Sequence, residues 1–80
     1  MEIYYILIED LEDYETSDVI HHCLTLDKAM EIAEYEIRNC CDKLRVTIGK
    51  SHFNEQGVLA DDYANFIKKI ESSEVQKWKL

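Results

Sequence analysis

The chain has 80 residues, of which 46% are hydrophobic and 32% charged, and its formal net charge at pH 7 is −8. This length fits one domain, and the apolar and aromatic content excludes a disordered chain. No apolar run approaches the ~18 residues of a membrane span, and Glu2 stands where a signal peptide carries basic residues. An odd number of cysteines, three, suits a reducing compartment. We therefore expect a single cytoplasmic domain over residues 1–80.

The first third of the chain predicts two strands. Ile3–Ile8 is β-branched, aromatic or aliphatic throughout, so we place it in the centre of a sheet with a helix on at least one side. Val19–Leu26 alternates between two faces and is the second strand, antiparallel to the first. Residues 9–17 between them are polar and acidic and are expected to form an exposed loop.

The rest of the chain predicts two helices and two more strands. Apolar residues recur every three or four positions from Leu26 to Cys41, which indicates a helix with Thr25 as its cap. Lys43–Ile48 alternates and is a strand that Gly49 stops, and Lys50–Gly57 is a loop from which Phe53 enters the core. A second helical stripe consists of Leu59, Tyr63, Phe66, Ile67 and Ile70. Residues 74–80 alternate as a last strand, with a helical continuation as the alternative.

These elements predict an α+β fold in the order β-β-α-β-α-β. The sheet has three to four antiparallel or mixed strands, with both helices on one face.

Charge is strongly segregated along the chain. Residues 1–27 hold eight acidic residues and no Lys or Arg, whereas residues 28–80 hold nine acidic and nine basic residues. The acidic segment, Glu9–Asp18, carries six carboxylates in ten residues. Such a segment is either a loop that keeps the protein soluble or a surface for a basic partner.

The second interpretation defines a candidate partner-binding set, which extends along the first helix: Glu9, Asp10, Glu12, Asp13, Tyr14, Glu15, Asp18, Asp27, Glu31 and Glu34. Alternate carboxylates on an extended chain lie ~6.6–6.8 Å apart. That spacing is close to the phosphate spacing of nucleic acid, so the row could occupy a groove built for nucleic acid. Tyr14 could stack on an Arg of the partner.

Metal and catalytic motifs are missing from the sequence. The acidic segment has no Gly at the turn position of a calcium loop. Zinc-ligand residue types are present at positions outside the usual spacings: His21, His22, Cys23, Cys40, Cys41 and His52. No constellation for nucleophilic or metal-dependent catalysis is filled. We therefore expect no metal, no cofactor and no enzymatic activity, with the cysteines structural or free.

The chain resembles the small acidic anti-defence proteins of phages and mobile elements, anti-CRISPR proteins above all, in four features. They are Met1 directly before a strand, the acidic segment, the lack of a catalytic motif and a compact α+β domain. The resemblance implies a stoichiometric inhibitor of a basic, nucleic-acid-binding effector, such as a CRISPR-Cas protein, with nucleic-acid mimicry as one mode. The alternative is a small regulatory interaction module with an unrelated partner. Tyr4, Tyr35 and Trp78 are candidates for a homodimer patch, but Tyr4 is expected to belong to the core, so Tyr35 and Trp78 are the ones that stay open.

Overall fold

A computed structural model describes residues 2–11, 18–39 and 43–72, and these contain one helix and four strands. The elements are β1 (Ile3–Asp10), β2 (Val19–Cys23), α1 (Leu26–Asn39), β3 (Leu44–Phe53) and β4 (Leu59–Glu71). The strands form one antiparallel sheet in the order β2-β1-β3-β4. The α+β class is therefore confirmed, and the described part of the chain differs from the predicted order in having a single helix.

β1 is central in the sheet, as its apolar sequence predicts. Ile6 lies opposite His21 of β2 on one side and Ile48 of β3 on the other, and it is fully buried. The antiparallel pairing of the first two strands is also confirmed. β2 ends at Cys23, earlier than expected, because Thr25 already starts the helix.

α1 covers one face of the sheet. The Thr25 side-chain oxygen accepts a hydrogen bond from the Lys28 N–H at 3.2 Å, which confirms the predicted cap. Ala29, Ala33 and Ile37 recur every four residues and are buried against β1 and β3. The helix is confirmed to Asn39, and its predicted end at Cys41 lies outside the described residues. Across the described ranges, no helix is long and apolar enough to cross a membrane.

The second predicted helix is wrong, because Leu59–Glu71 forms strand β4. β3 does not stop at Gly49 but continues to Phe53, which lies opposite Leu59. The connection is therefore only residues 54–58, and so short a turn returns the chain directly alongside β3. Most of the supposed helical stripe is exposed, and only Ile70 packs against the core. The expected last strand at residues 74–80 lies outside the described residues.

A tight turn explains this hairpin. The Gly57 N–H donates to the Asn54 carbonyl at 2.9 Å, and the Asn54 side-chain oxygen accepts bonds from the N–H groups of Gln56 and Val58. Gly57 has a φ of 76°, which a residue without a side chain adopts at little cost. Phe53, expected to enter the core, is instead 62% exposed beside this turn.

Gly49 makes room for Tyr5. The two residues are opposite each other on the sheet face away from α1, and a Cβ at Gly49 would overlap the Tyr5 ring. The ring also meets the Tyr63 ring edge-to-face, with centroids 5.2 Å apart. The Tyr5 hydroxyl donates to the Asp62 carbonyl at 3.0 Å. Gly49 is therefore a packing position inside β3, where the sequence pattern suggested a stop.

Replacing Gly49 tests this contact. We expect Gly49→Ala to lower the free energy of unfolding by about 1–3 kcal/mol, because the new methyl group overpacks the site. In a Tyr5→Leu background the same change should cost clearly less, because the ring is gone and alanine restricts the unfolded chain more than glycine does. Urea denaturation of the four proteins measures both differences. An equal loss in the two backgrounds would contradict the proposed contact.

Candidate interaction surface

The β1–β2 register brings both ends of the acidic segment to one end of the sheet. Ile8 lies opposite Val19, so Glu9 and Asp10 leave β1 where Asp18 enters β2. Asp18 is exposed, whereas Glu9 and Asp10 are half-buried. Four of the candidate residues lie outside the described residues: Glu12, Asp13, Tyr14 and Glu15.

Glu9 is not an isolated charge. It lies opposite Arg45 of β3, which lies opposite Glu71 of β4 on the same sheet face. The Nε and Nη2 atoms of Arg45 both donate to Glu71 Oε1 at 3.1 Å. Facing side chains in a sheet lie within ~5.5 Å at Cβ, so Glu9 lies beside this Arg45–Glu71 pair. None of the ion pairs between described residues includes Glu9.

The acidic residues of α1 begin far from the acidic segment. Asp27, Glu31 and Glu34 are exposed, and Lys28 Nζ lies 3.4 Å from Glu31 Oε2. α1 begins past Cys23, and five residue steps from Asp18 to Cys23 span ~17 Å. Asp27 therefore lies at the opposite end of the sheet from the acidic segment. From there α1 runs back towards the segment, because Leu44, which follows the helix, lies opposite Asp10. Glu34 is thus nearer to the segment than Asp27 is.

A cluster around Asp61 occupies the sheet face away from α1, and the sequence patterns did not reveal it. Ser51 Oγ donates to Asp61 Oδ1 at 2.6 Å, and His22 Nε2 lies 2.8 Å from the same oxygen. The Tyr63 hydroxyl donates to Oδ2 at 3.0 Å. β2 and β4 are the outermost described strands of the sheet, so the His22–Asp61 contact spans its face over β1 and β3.

Hydrogen bonding keeps Asp61 ionised although its side chain is only 12% exposed. Burial raises the pKa of the carboxyl, but the bonds from Ser51, His22 and Tyr63 and the charge on His22 together lower the pKa below its ordinary value. Burial and the bond to Asp61 raise the pKa of Tyr63 in turn. Since an ionised carboxylate only accepts, the Nε2 atom of His22 carries the hydrogen of that bond.

The cluster contains the residue types of a hydrolase triad in a different arrangement. In a triad, the imidazole lies between the hydroxyl and the carboxylate and takes the hydroxyl proton. Here Ser51 and His22 both bind Asp61 Oδ1, so the Ser51 hydroxyl points to the carboxylate and not to the imidazole. The geometry does not activate Ser51, and the contacts are those of a polar bridge across the sheet.

The candidate zinc ligands do not converge in the described parts of the chain, where no group of three or more His, Cys, Asp or Glu residues could hold a metal ion. His21 and Cys23 share the sheet face towards α1, as the alternation predicts, and His22 lies on the other face. The Cys23 thiol donates to the Thr25 carbonyl at 3.3 Å. Cys40 and Cys41 lie outside the described residues.

The chain was also compared with known proteins. No family model, curated protein or solved structure matches it. A functional assignment therefore depends on the chemistry of its own surfaces.

The lowered pKa of Asp61 has a consequence for stability. A carboxyl group whose folded pKa is below its ordinary value of 3.8 stabilises the fold fully above that value. The contribution is lost as the pH falls through the folded pKa. We expect Asp61→Asn to lower the free energy of unfolding by about 1.5–3 kcal/mol near pH 7, and by less as the pH falls below 3.8.

Denaturation of the wild type and the variant between pH 7 and pH 3 measures this difference. Glu55→Gln, in the exposed β3–β4 turn, controls for the removal of one negative charge. A difference that stays constant across the whole range would show that the charge of Asp61 does not stabilise the fold.

Proposed function

We propose that this protein is a stoichiometric inhibitor that binds a basic, nucleic-acid-binding effector through the acidic segment. The observation that carries the proposal is the segregation of charge, with eight acidic residues and no Lys or Arg before Lys28. The resemblance to anti-defence proteins favours a CRISPR-Cas or similar defence protein as the effector. The inhibitor needs no catalytic step, because occupying the groove is enough to exclude nucleic acid.

The ends of the segment are arranged in a way that supports this proposal. Strands β1 and β2 are paired up to Ile8 and Val19, so the segment starts and ends on rigid structure at one end of the molecule. Ion pairs between described residues use Glu2, Glu31, Asp61 and Glu71, and none of them uses Asp18. The Asp18 carboxylate is thus available to a cationic partner.

Several weak contacts acting together give such a surface its affinity. One exposed ion pair contributes only ~0.2–1 kcal/mol, because water and salt screen it. A row of carboxylates that meets one basic groove adds these contributions, and its field also speeds the encounter. Because such fields are screened over ~10 Å at 0.1 M salt, the capture rate should depend strongly on ionic strength.

A second candidate function is a small regulatory interaction module with an unrelated partner. The exposed apolar side chains Tyr63, Phe66 and Ile67 on the outermost described strand, β4, favour it. Tyr35 is exposed on α1 as expected for an interface residue, whereas Tyr4 is buried in the core. Trp78, the third residue of the expected dimer patch, lies outside the described residues.

Neutralising the acidic segment tests the main proposal. The wild type is first expressed in bacterial strains that each carry one CRISPR-Cas nuclease and a plasmid that this nuclease targets. A nuclease from whose cleavage the plasmid is protected is then purified as the partner for binding measurements. We expect the variant Glu12→Gln, Asp13→Asn, Glu15→Gln, Asp18→Asn to bind at least about tenfold more weakly, equivalent to ~1.4 kcal/mol. The loss should appear mainly in the association rate and should shrink at high salt, because screening already weakens the wild type there.

A matched variant removes the same number of charges from exposed residues towards the opposite end of the sheet: Glu2→Gln, Asp27→Asn, Glu31→Gln, Glu55→Gln. It should retain most of the binding, because these residues are separated from the segment. Equal losses in both variants would mean that only net charge matters. Protection of no plasmid by the wild type, or full binding by the folded first variant, would overturn the proposal.

A further inference from the structure

Strand β4 carries a self-complementary charge pattern. Asp61 and Asp62 precede a centre that is apolar except for Asn65, Tyr63–Ile67, and Lys68 and Lys69 follow it. Every residue from Tyr63 to Lys69 is exposed, and β4 has no neighbour on its outer side among the described residues. A sequence that runs from acidic to apolar to basic matches itself when a second copy is laid against it in the opposite direction.

We propose that a second copy of this chain docks along the outer edge of β4, antiparallel to it, about a two-fold axis at Asn65. This register places Asp62 of each copy opposite Lys68 of the other, and Tyr63 opposite Ile67. Because the axis repeats every contact, two ion pairs flank one apolar centre. Both copies use the same surface in this isologous arrangement, so a dimer has no free copy of that surface with which to bind a third chain.

The charges select this register over its neighbours. Moving the axis to Phe66 would place Asp61 opposite Glu71, which is repulsive. Moving it to Ala64 would place Asp62 opposite Phe66 and leave both charges of the pair unmatched. Like charges facing each other across neighbouring strands are destabilising, whereas opposite charges are stabilising.

The exposed apolar side chains suit an interface centre. Tyr63, Phe66 and Ile67 are 53%, 48% and 43% exposed, and aromatic residues are enriched where interfaces are driest. Lys69 Nζ lies 4.6 Å from the Phe66 ring centroid, and none of the ion pairs between described residues uses Lys68. A second copy that packs against this centre would shield its exposed apolar side chains from water, which favours association.

In the proposed ion pair with Lys68 of the second copy, the acidic residue is Asp62 and not Asp61. Three hydrogen bonds already occupy Asp61. Within residues 2–11, 18–39 and 43–72, the Asp62 carboxylate accepts bonds only from the backbone and side-chain N–H groups of Asn65. An ionised carboxylate has about four acceptor sites, so Asp62 can also receive a lysine.

Side chains, not a continuous backbone ladder, should carry the association. The register between β3 and β4 shifts on both sides of Gly49. Ile67 has no partner between Lys68 and Phe66, and residues 62–65 correspond to Lys50 alone. Such irregularities, together with edge lysines, prevent unspecific strand pairing at the edges of natural sheets. Only the register that matches charge and apolar surface remains favourable.

Exchanging charges across the axis tests the dimer by sedimentation equilibrium. We expect concentration-dependent dimers of the wild type, and at least tenfold weaker association of Lys68→Glu and of Asp62→Lys alone. An equimolar mixture of the two variants should associate, because each acidic position then meets a basic one. The double variant Asp62→Lys, Lys68→Glu should dimerise again.

Lys28→Glu, an equal charge reversal on the exposed side of α1, serves as the control and should dimerise like the wild type. A wild type that is monomeric at millimolar concentration would overturn the proposal. Dimers that Lys68→Glu does not weaken, or variants that fail to associate when mixed, would place the interface on another surface. None of these changes touches the acidic segment, so this test and that of the inhibitor can fail separately.

Discussion

The close approach of Tyr5 to the backbone at Gly49 is the contact on which the far side of the sheet depends. Because Gly49 has no side chain, the Tyr5 ring lies over β3 and reaches β4, where it meets Tyr63 and binds the Asp62 carbonyl. A side chain at Gly49 would displace the ring and remove both contacts. The irregular middle of β4, which has few other partners, is therefore fixed from the centre of the sheet.

The two faces of the sheet are built on different principles. On one face, Ala29 and Ala33 let α1 lie close to Ile6 and Ile48, and the packing is apolar. The other face, described without a covering helix, is held by directional contacts: the Asp61 cluster at one end and the Arg45–Glu71 pair at the other. Tyr5, Thr47 and Ser51 on this face are nevertheless buried, at 0%, 5% and 7% exposed. Aromatic packing in the centre and directional contacts at the ends therefore fix this face together.

The sequence predicted the elements whose signals are local. β1, β2, α1 and the Thr25 cap depend on short apolar runs, on alternation and on a cap residue that acts within three positions. β4 was mistaken for a helix because Leu59, Tyr63, Phe66, Ile67 and Ile70 have helical spacing. The register shifts within this strand and the exposure of residues 63–69 remove the alternation that would have indicated a strand. Gly49 ends an alternating run, and a glycine at such a place is read as a stop unless its neighbour across the sheet is known. The Asp61 cluster was missed for the same reason, since His22, Ser51 and Asp61 meet only through the strand order.

The positions of the two proposed surfaces determine how a dimer would present its charge. The acidic segment leaves β1 at the end of the sheet where β4 reaches Glu71, because Glu9 and Glu71 both lie beside Arg45. About a two-fold axis at Asn65, the Glu71 ends of two copies point in opposite directions. Phe66 and Glu71 lie opposite Gly49 and Arg45, which are four strand steps apart, so each Glu71 end lies at least ~14 Å from the axis. The described ends of the two acidic segments would then lie ~28 Å apart or more, beyond the ~10 Å over which salt leaves charges coupled. Dimerisation would neither cover an acidic segment nor concentrate two of them on one groove, so each copy would engage its own effector.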